Sequence, residues 1–299
     1  MELKISTPPT FSFRRTARSH GWYVLPPFEF EESTWTLMRV LSVGEAKPVT
    51  VTITAMRGGI LIKPSRRVSK KAADKILRDV RHMFRLDDDM TGFYQAVAAE
   101  PEFAWIVTEG AGRLLRSPTV FEDLVKMICT TNCSWALTEK MVHGLVNELG
   151  EQADDGRKTF PTPEALAQKP EKFFRDKIRA GYRSSYLKEL ANRVASGELN
   201  VESWLSSDLP VVELLKEMKG VKGVGNYAAE NLLKLIGRYD GLALDSWTRA
   251  QFYKSRNNGR VANDKKIAKF YARFNSWRGL ALWCDMTRDW LEPEKPGQA

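Results

Sequence analysis

The chain has 299 residues, 43% hydrophobic and 28% charged, which is room for one large globular domain or two ordinary ones. No stretch approaches the roughly 20 apolar residues that span a bilayer, and the start from Met1 to Phe13 lacks the apolar run of a secretory signal, so a cytoplasmic place is expected. Three cysteines (Cys129, Cys133, Cys284) and three scattered histidines (His20, His82, His143) exclude a disulfide framework, a four-cysteine zinc or iron–sulfur site and a histidine-rich metal site, while a net charge of +9 favours a polyanionic partner.

Residues 1 to about 65 read as β-rich. Val49 to Ala55 alternates apolar and polar residues, Arg57-Gly58-Gly59 turns, and Ile60-Leu61-Ile62 resumes the run, which predicts a hairpin. Trp35 to Val40 is another strand, entered past Pro26-Pro27. From Ser69 onward the character is helical. Ala72, Ile76, Val80 and Phe84 share one face of a helix over 71–84, whose lysines and arginines form the solvated face. Further helices are expected over 91–99, 118–129, 135–149, 163–167, 186–194 and 211–218, with a polar loop over 151–158 and a frayed tail over 293–299. The fold class is therefore α+β and mainly α, divided into an N-terminal antiparallel sheet with a linking helix (1–85) and a helical domain (86–299).

The most informative segment runs from Val211 to Phe252. A helix over 211–218 leads into Gly220-Val221-Lys222-Gly223-Val224-Gly225, and a second helix follows over 226–236. Two glycines permit a tight turn and a close approach of the main chain to a ligand. Val224 between them would plug the core, and small Ala228 and Ala229 would let the helices pack closely. The second helix starts at Gly225-Asn226, so its free N–H groups and positive dipole end suit a phosphate. Such a hairpin grips nucleic-acid backbone without reading sequence.

This hairpin over 211–237, followed by the apolar run Leu242-Ala243-Leu244 and then Asp245-Ser246-Trp247, resembles the helix-hairpin-helix–Gly/Pro–Asp superfamily of DNA glycosylases. Two further stretches resemble its 3-methyladenine and 8-oxoguanine branches: Phe121 to Trp135, and Phe160-Pro161-Thr162 leading to Ala180-Gly181-Tyr182-Arg183. The resemblance covers nearly all of the chain. It implies that Asp245 is the catalytic carboxylate, although a plain helix cap is an alternative use of the same residue. Asn132 would fill the gap left by an extruded nucleotide and Tyr182 would wedge into the base stack. Arg183, Lys222, Gly223, Gly225 and Asn226 would meet DNA. Carbonyls of Lys219, Val221 and Val224 would hold a monovalent cation, with no other cofactor. The partner would be duplex DNA carrying a damaged base, bound by a monomer that associates with the nucleoid.

The departures are also informative. Strand-cleaving members carry a lysine two residues after the last hairpin glycine, where this chain has Tyr227, so a glycosylase without lyase activity is expected. The 8-oxoguanine enzymes have a pocket glutamine at the position near Gly279 and an arginine for the orphaned cytosine at Leu137. The aromatic residues Tyr227, Trp247 and Trp283 would instead line a pocket suited to a cationic alkylated purine of the 3-methyladenine type. An 8-oxoguanine-type glycosylase and a non-catalytic DNA-binding protein are the alternatives.

Overall fold

The computed structural model describes residues 1–44 and 46–291, so the tail expected to fray lies outside the described residues. Five antiparallel strands form one sheet in the order β1-β5-β4-β3-β2, with β1 Leu3–Ser6, β2 Phe28–Glu31, β3 Thr36–Leu41, β4 Val49–Met56 and β5 Gly59–Pro64. The predicted hairpin is β4–β5, closed where Met56 faces Gly59. Gly58 at its tip has a φ of 71°, a conformation that costs glycine little. Strand β3 begins one residue later than the alternation suggests. Trp35 sits in the turn with a φ of 51°, its ring covered by the Arg14 guanidinium at 4.3 Å. The edge strands β1 and β2 have four residues each, too few for a two-residue period to stand out.

The longer helices are α1 Lys70–Met83, α2 Thr91–Ala98, α3 Val120–Thr130, α4 Trp135–Leu149, α5 Arg183–Ala195, α6 Val211–Lys219, α7 Asn226–Ile236, α8 Ser246–Arg256, α9 Asp264–Tyr271 and α10 Arg278–Met286. Thr119 caps α3 and Ser134 caps α4, each accepting a main-chain N–H three residues on. Helix α5 starts three residues before its expected first residue, at Arg183. The loop over 151–158 is present and is pinned by a bridge between Gln152 and Lys158. No helix among the described residues is long and apolar enough to cross a membrane.

Sheet and helices share one connected apolar core. A buried ion cluster also joins them. Arg39 of β3 donates to Glu122 of α3 at 2.9 Å, and the Lys126 ammonium lies 2.7 Å from the same carboxylate. Burial by itself would raise the Glu122 carboxyl, but Arg39 and Lys126 hold it down at about 2. Helix α7 packs against both α3 and α6, and α8 packs against α10. That arrangement brings the hairpin, the N-terminus of α8 and the loop between α3 and α4 to one face.

Candidate nucleic-acid groove and base pocket

The turn between α6 and α7 is built from main-chain bonds. Val221 N–H donates to the Met218 carbonyl at 3.1 Å, and Val224 N–H to the Val221 carbonyl at 3.0 Å. Gly223 has a φ of 89°, and a Cβ there would run into the Tyr186 ring, so this position requires glycine twice over. Gly225 is different from the expectation. Its φ of −86° and ψ of −176° suit any residue, and a Cβ there would meet nothing. It does not make the turn; its missing side chain leaves the start of α7 bare, with no side-chain cap on the first N–H groups. Val224, Ala228 and Ala229 are buried, as the spacing predicts.

This bare helix start opens on a groove of about 1070 Å³. Its walls are the hairpin from Lys219 to Ala228, the loop from Thr130 to Cys133, the aromatic pair Tyr182 and Tyr186, and the N-terminus of α8. Asn132 is exposed with a φ of 46°, a left-handed conformation that asparagine tolerates. Tyr182 is 52% exposed and its hydroxyl reaches the Thr131 carbonyl at 3.4 Å, beside Asn132. Lys222 reaches Glu189 at 3.4 Å and Lys219 donates to Asn226 Oδ1 at 3.2 Å, both at the solvent side. Arg183 does not join them. It is 3% exposed and its guanidinium is turned inward onto the Thr131 carbonyl, so it braces the Asn132 loop and has no open face for a phosphate.

A second cavity, about 110 Å³, lies behind the groove. Thr130, Tyr227 and Asp245 line both spaces and therefore form the boundary between them. Asp245 is half-buried and caps α8. Its Oδ1 accepts the Thr248 N–H at 2.7 Å and the Thr248 hydroxyl at 2.8 Å, while its own N–H donates to that hydroxyl at 2.9 Å. The cap engages Oδ1 and fixes the carboxylate at the boundary. Burial first, and the Asp245 charge second, push the Tyr227 phenol up to about 12, so it stays protonated.

The inner cavity is lined by His20, Trp22, Trp135, Asn231, Lys234 and Trp283, among others. Trp283 is placed as expected, with its indole N–H donating to the Ser19 carbonyl at 2.8 Å. Trp247 is not in the lining. It packs behind Trp283 and against Trp290, at ring separations of 5.8 and 5.5 Å. Trp135 replaces it as a wall. Gly21 lies beneath its indole, where any side chain would collide with the ring. No side chain fits at Gly279 either, because a Cβ there would strike the Tyr239 and Gly241 carbonyls; its N–H donates to Tyr239 at 2.8 Å. Leu137 is partly buried against the core.

Thr130, Trp135, His20 and Lys234 were not singled out from sequence. Lys234 carries a signal that was available, a lone charge inside the apolar run Leu232-Leu233-Lys234-Leu235-Ile236 and two turns beyond Tyr227 on one helix face. His20 and Trp135 carry none, because their places depend on how distant segments meet.

No family model matches the chain. It is 24% identical over 268 residues to a DNA-3-methyladenine glycosylase of Bacillus subtilis, covering 86% of this chain and 87% of the relative. It is 24% identical over 288 residues to a probable N-glycosylase/DNA lyase of Methanothermobacter thermautotrophicus, covering 88% of each. Its fold matches the 8-oxoguanine glycosylase/lyase of Clostridium acetobutylicum with a TM-score of 0.74 and 22% identity, over 95% of both chains. The relatives and the structural neighbour are DNA glycosylases, in keeping with the helix-hairpin-helix–Gly/Pro–Asp resemblance of the hairpin and Asp245.

Proposed function

We propose that this protein is a monofunctional DNA glycosylase that extrudes a damaged purine from a duplex and hydrolyses its glycosidic bond. The observation that carries this reading is the shared boundary. An open groove with a bare helix start and a smaller cavity with aromatic walls meet at Asp245, Tyr227 and Thr130. A duplex in the groove would offer its phosphates to the N-terminus of α7 and to Lys222. The target base would leave the stack and pass into the cavity, since its glycosidic bond is out of reach inside a duplex. Tyr182 and Asn132 stand beside the groove, where a wedge and a gap-filler are needed.

The sugar would then lie at the boundary. As the C1′–N bond breaks, its electron pair leaves with the base and positive charge grows on the sugar ring. The Asp245 carboxylate stabilises that charge, and it orients the water that attacks C1′ and accepts the proton the water gives up. The products are free base and an abasic site. Tyr227 offers no amine for an imine with the sugar, so strand cleavage is not part of this chemistry. The hairpin carbonyls of Lys219, Val221 and Val224 would hold a monovalent cation. That of Val221 already accepts one bond, which leaves it a second lone pair. A single copy of the chain suffices, because groove and pocket come from the same fold.

Aromatic walls and the Bacillus relative support an alkylated purine. The 8-oxoguanine reading gains from Lys234, a buried ammonium in the cavity. The test is a single-turnover assay on duplexes with one lesion each, read with and without alkali, beside Asp245→Asn. Strand breaks that need alkali and vanish in the variant are expected. Breaks without alkali would overturn the monofunctional reading, and duplex binding with no base release would leave a non-catalytic binder.

A further inference from the structure

Lys234 is 2% exposed and lines the inner cavity. Its ammonium donates to the Leu242 carbonyl at 3.2 Å and pairs with no carboxylate among the described residues. Glu230, one turn earlier, already accepts the Ala243 N–H at 2.5 Å. A lysine has three N–H donors, so two remain for whatever enters. Burial lowers this ammonium to about 8, against the opposing pull of Glu230 and Asp245, and it is mostly charged at neutral pH.

Most other side-chain donors around the cavity are already used, and the Tyr227 phenol at its boundary is engaged with Asp245 and Thr130. The indole N–H groups of Trp22, Trp135 and Trp283 donate to Asp123 at 2.7 Å, Glu139 at 3.0 Å and the Ser19 carbonyl at 2.8 Å. Thr130 gives its hydroxyl proton to the Met127 carbonyl at 2.7 Å. His20 gives its Nε2–H to the Leu115 carbonyl, and burial holds its ring neutral with a pKa of about 4. Asn231 spends one amide N–H on the Tyr227 carbonyl at 3.0 Å. Lys234 therefore brings both the cavity's positive charge and most of its spare donors. It also lies 5.6 Å over the Trp283 ring, so that aromatic face already holds a cation.

We propose that Lys234 is a specificity-determining residue that selects neutral damaged purines presenting a hydrogen-bond acceptor and rejects purines carrying a fixed positive charge. The proposal rests on the glycosylase reading, but it sets aside the cationic 3-methyladenine type expected from the aromatic residues in favour of neutral adducts such as 1,N6-ethenoadenine, and it admits 8-oxoguanine and hypoxanthine. A purine methylated at N3 or N7 would set its charge against the Lys234 ammonium in a cavity of about 110 Å³. The Asp245 carboxylate at the edge of the same cavity offsets part of that repulsion, and the remainder is expected to disfavour such a base by roughly 10-fold.

The test compares wild type with Lys234→Met, which keeps length and bulk and removes the charge. Duplexes carry either a neutral lesion (1,N6-ethenoadenine, 8-oxoguanine or hypoxanthine) or cationic 7-methylguanine. Each is offered as a cleavable substrate and as its uncleavable 2′-fluoro-arabino form for binding, beside an abasic duplex that leaves the cavity empty. Wild type is expected to prefer a neutral lesion. The variant should lose about 10-fold on it, gain about 10-fold or more on 7-methylguanine, and bind the abasic duplex as before. An unchanged neutral-to-cationic ratio overturns the proposal, as does an equal loss on every lesion. Release of no base from any duplex would sink the glycosylase reading alone, because the ratio of affinities for the fluorinated duplexes still decides what Lys234 does.

Discussion

The groove and the inner cavity are built by opposite means. The longest wall of the groove is one stretch, Lys219 to Ala228, with one glycine forced by its φ and another that simply leaves space. The cavity is side chains from separate parts of the chain, His20 and Trp22 between β1 and β2, Trp135 on α4, Lys234 on α7 and Trp283 on α10. Main-chain N–H groups meet any phosphate alike, so on the proposed function the groove would hold a duplex of any sequence. Side chains with assigned donors and charges discriminate, so on the same reading the choice of base would belong to the cavity. Among the described residues, Thr130, Tyr227 and Asp245 alone line both.

The largest effect is expected at that boundary. Asp245→Asn keeps the cap, since asparagine serves α8 about as well and stability should change by about 0.5 kcal/mol or less. Base release should nevertheless fall by roughly 100- to 1000-fold, the scale of removing one aimed electrostatic group. Single-turnover rates beside thermal melts check this. A loss of rate matched by a large loss of melting temperature would make Asp245 a cap first and would separate the boundary from both spaces.

The next effect is confined to the cavity and is one of stability. His20 is neutral in the fold, its pKa lowered from 6.5 to about 4, chiefly by burial. Between those values the unfolded chain binds the extra proton. Its stabilising share is therefore complete above pH 6.5 and is lost as the pH falls, by about 3 kcal/mol near pH 4. His20→Gln, which keeps an N–H for the Leu115 carbonyl, should flatten that part of the acid limb in denaturant titrations. An unchanged limb would mean that His20 does not stay neutral in the fold.

The same contrast explains what could be read from sequence. The groove was legible because its physics is local: glycines, a helix start and an aspartate at a fixed interval lie within one stretch. Even there spacing does not reveal which glycine carries the positive φ: Gly223 makes the turn, and Gly225 leaves only the open approach. The longest helices were legible from their apolar faces, and α4 and α7 occupy the expected ranges. The cavity was legible only in part. Trp283 and Tyr227 are in place, but Trp247 is packing, Arg183 is a brace, and Trp135 and His20 enter through tertiary contacts that no periodicity encodes. Strands β1 and β2 escaped because pairing, rather than pattern, makes four residues a strand.

Two glycine substitutions should divide the groove itself. Gly223→Ala places a methyl group on a left-handed residue and against Tyr186, and it should cost about 1–3 kcal/mol and weaken duplex binding. Gly225→Ala adds a methyl group to an ordinary extended residue facing open space, and stability should stay within about 0.5 kcal/mol of wild type. Equal melting temperatures for the two would mean that the turn does not hold the conformation described.

The smallest effect tests whether the groove is as indifferent to sequence as its construction implies. Lys222 is exposed at the rim, 3.4 Å from Glu189 and 5.8 Å over the Tyr186 ring, both of them groove-side contacts, so its removal should leave the fold and the cavity untouched. If it meets one phosphate, Lys222→Gln should reduce the slope of log affinity against log salt by about 0.9. The loss should be the same for lesion-bearing, abasic and undamaged duplexes, because a phosphate contact carries no information about the base. Fluorescence anisotropy over a salt series reads the slope for each duplex. A loss that depends on the lesion would place Lys222 on the cavity's side of the division and would show that grip and choice are not separable in this fold.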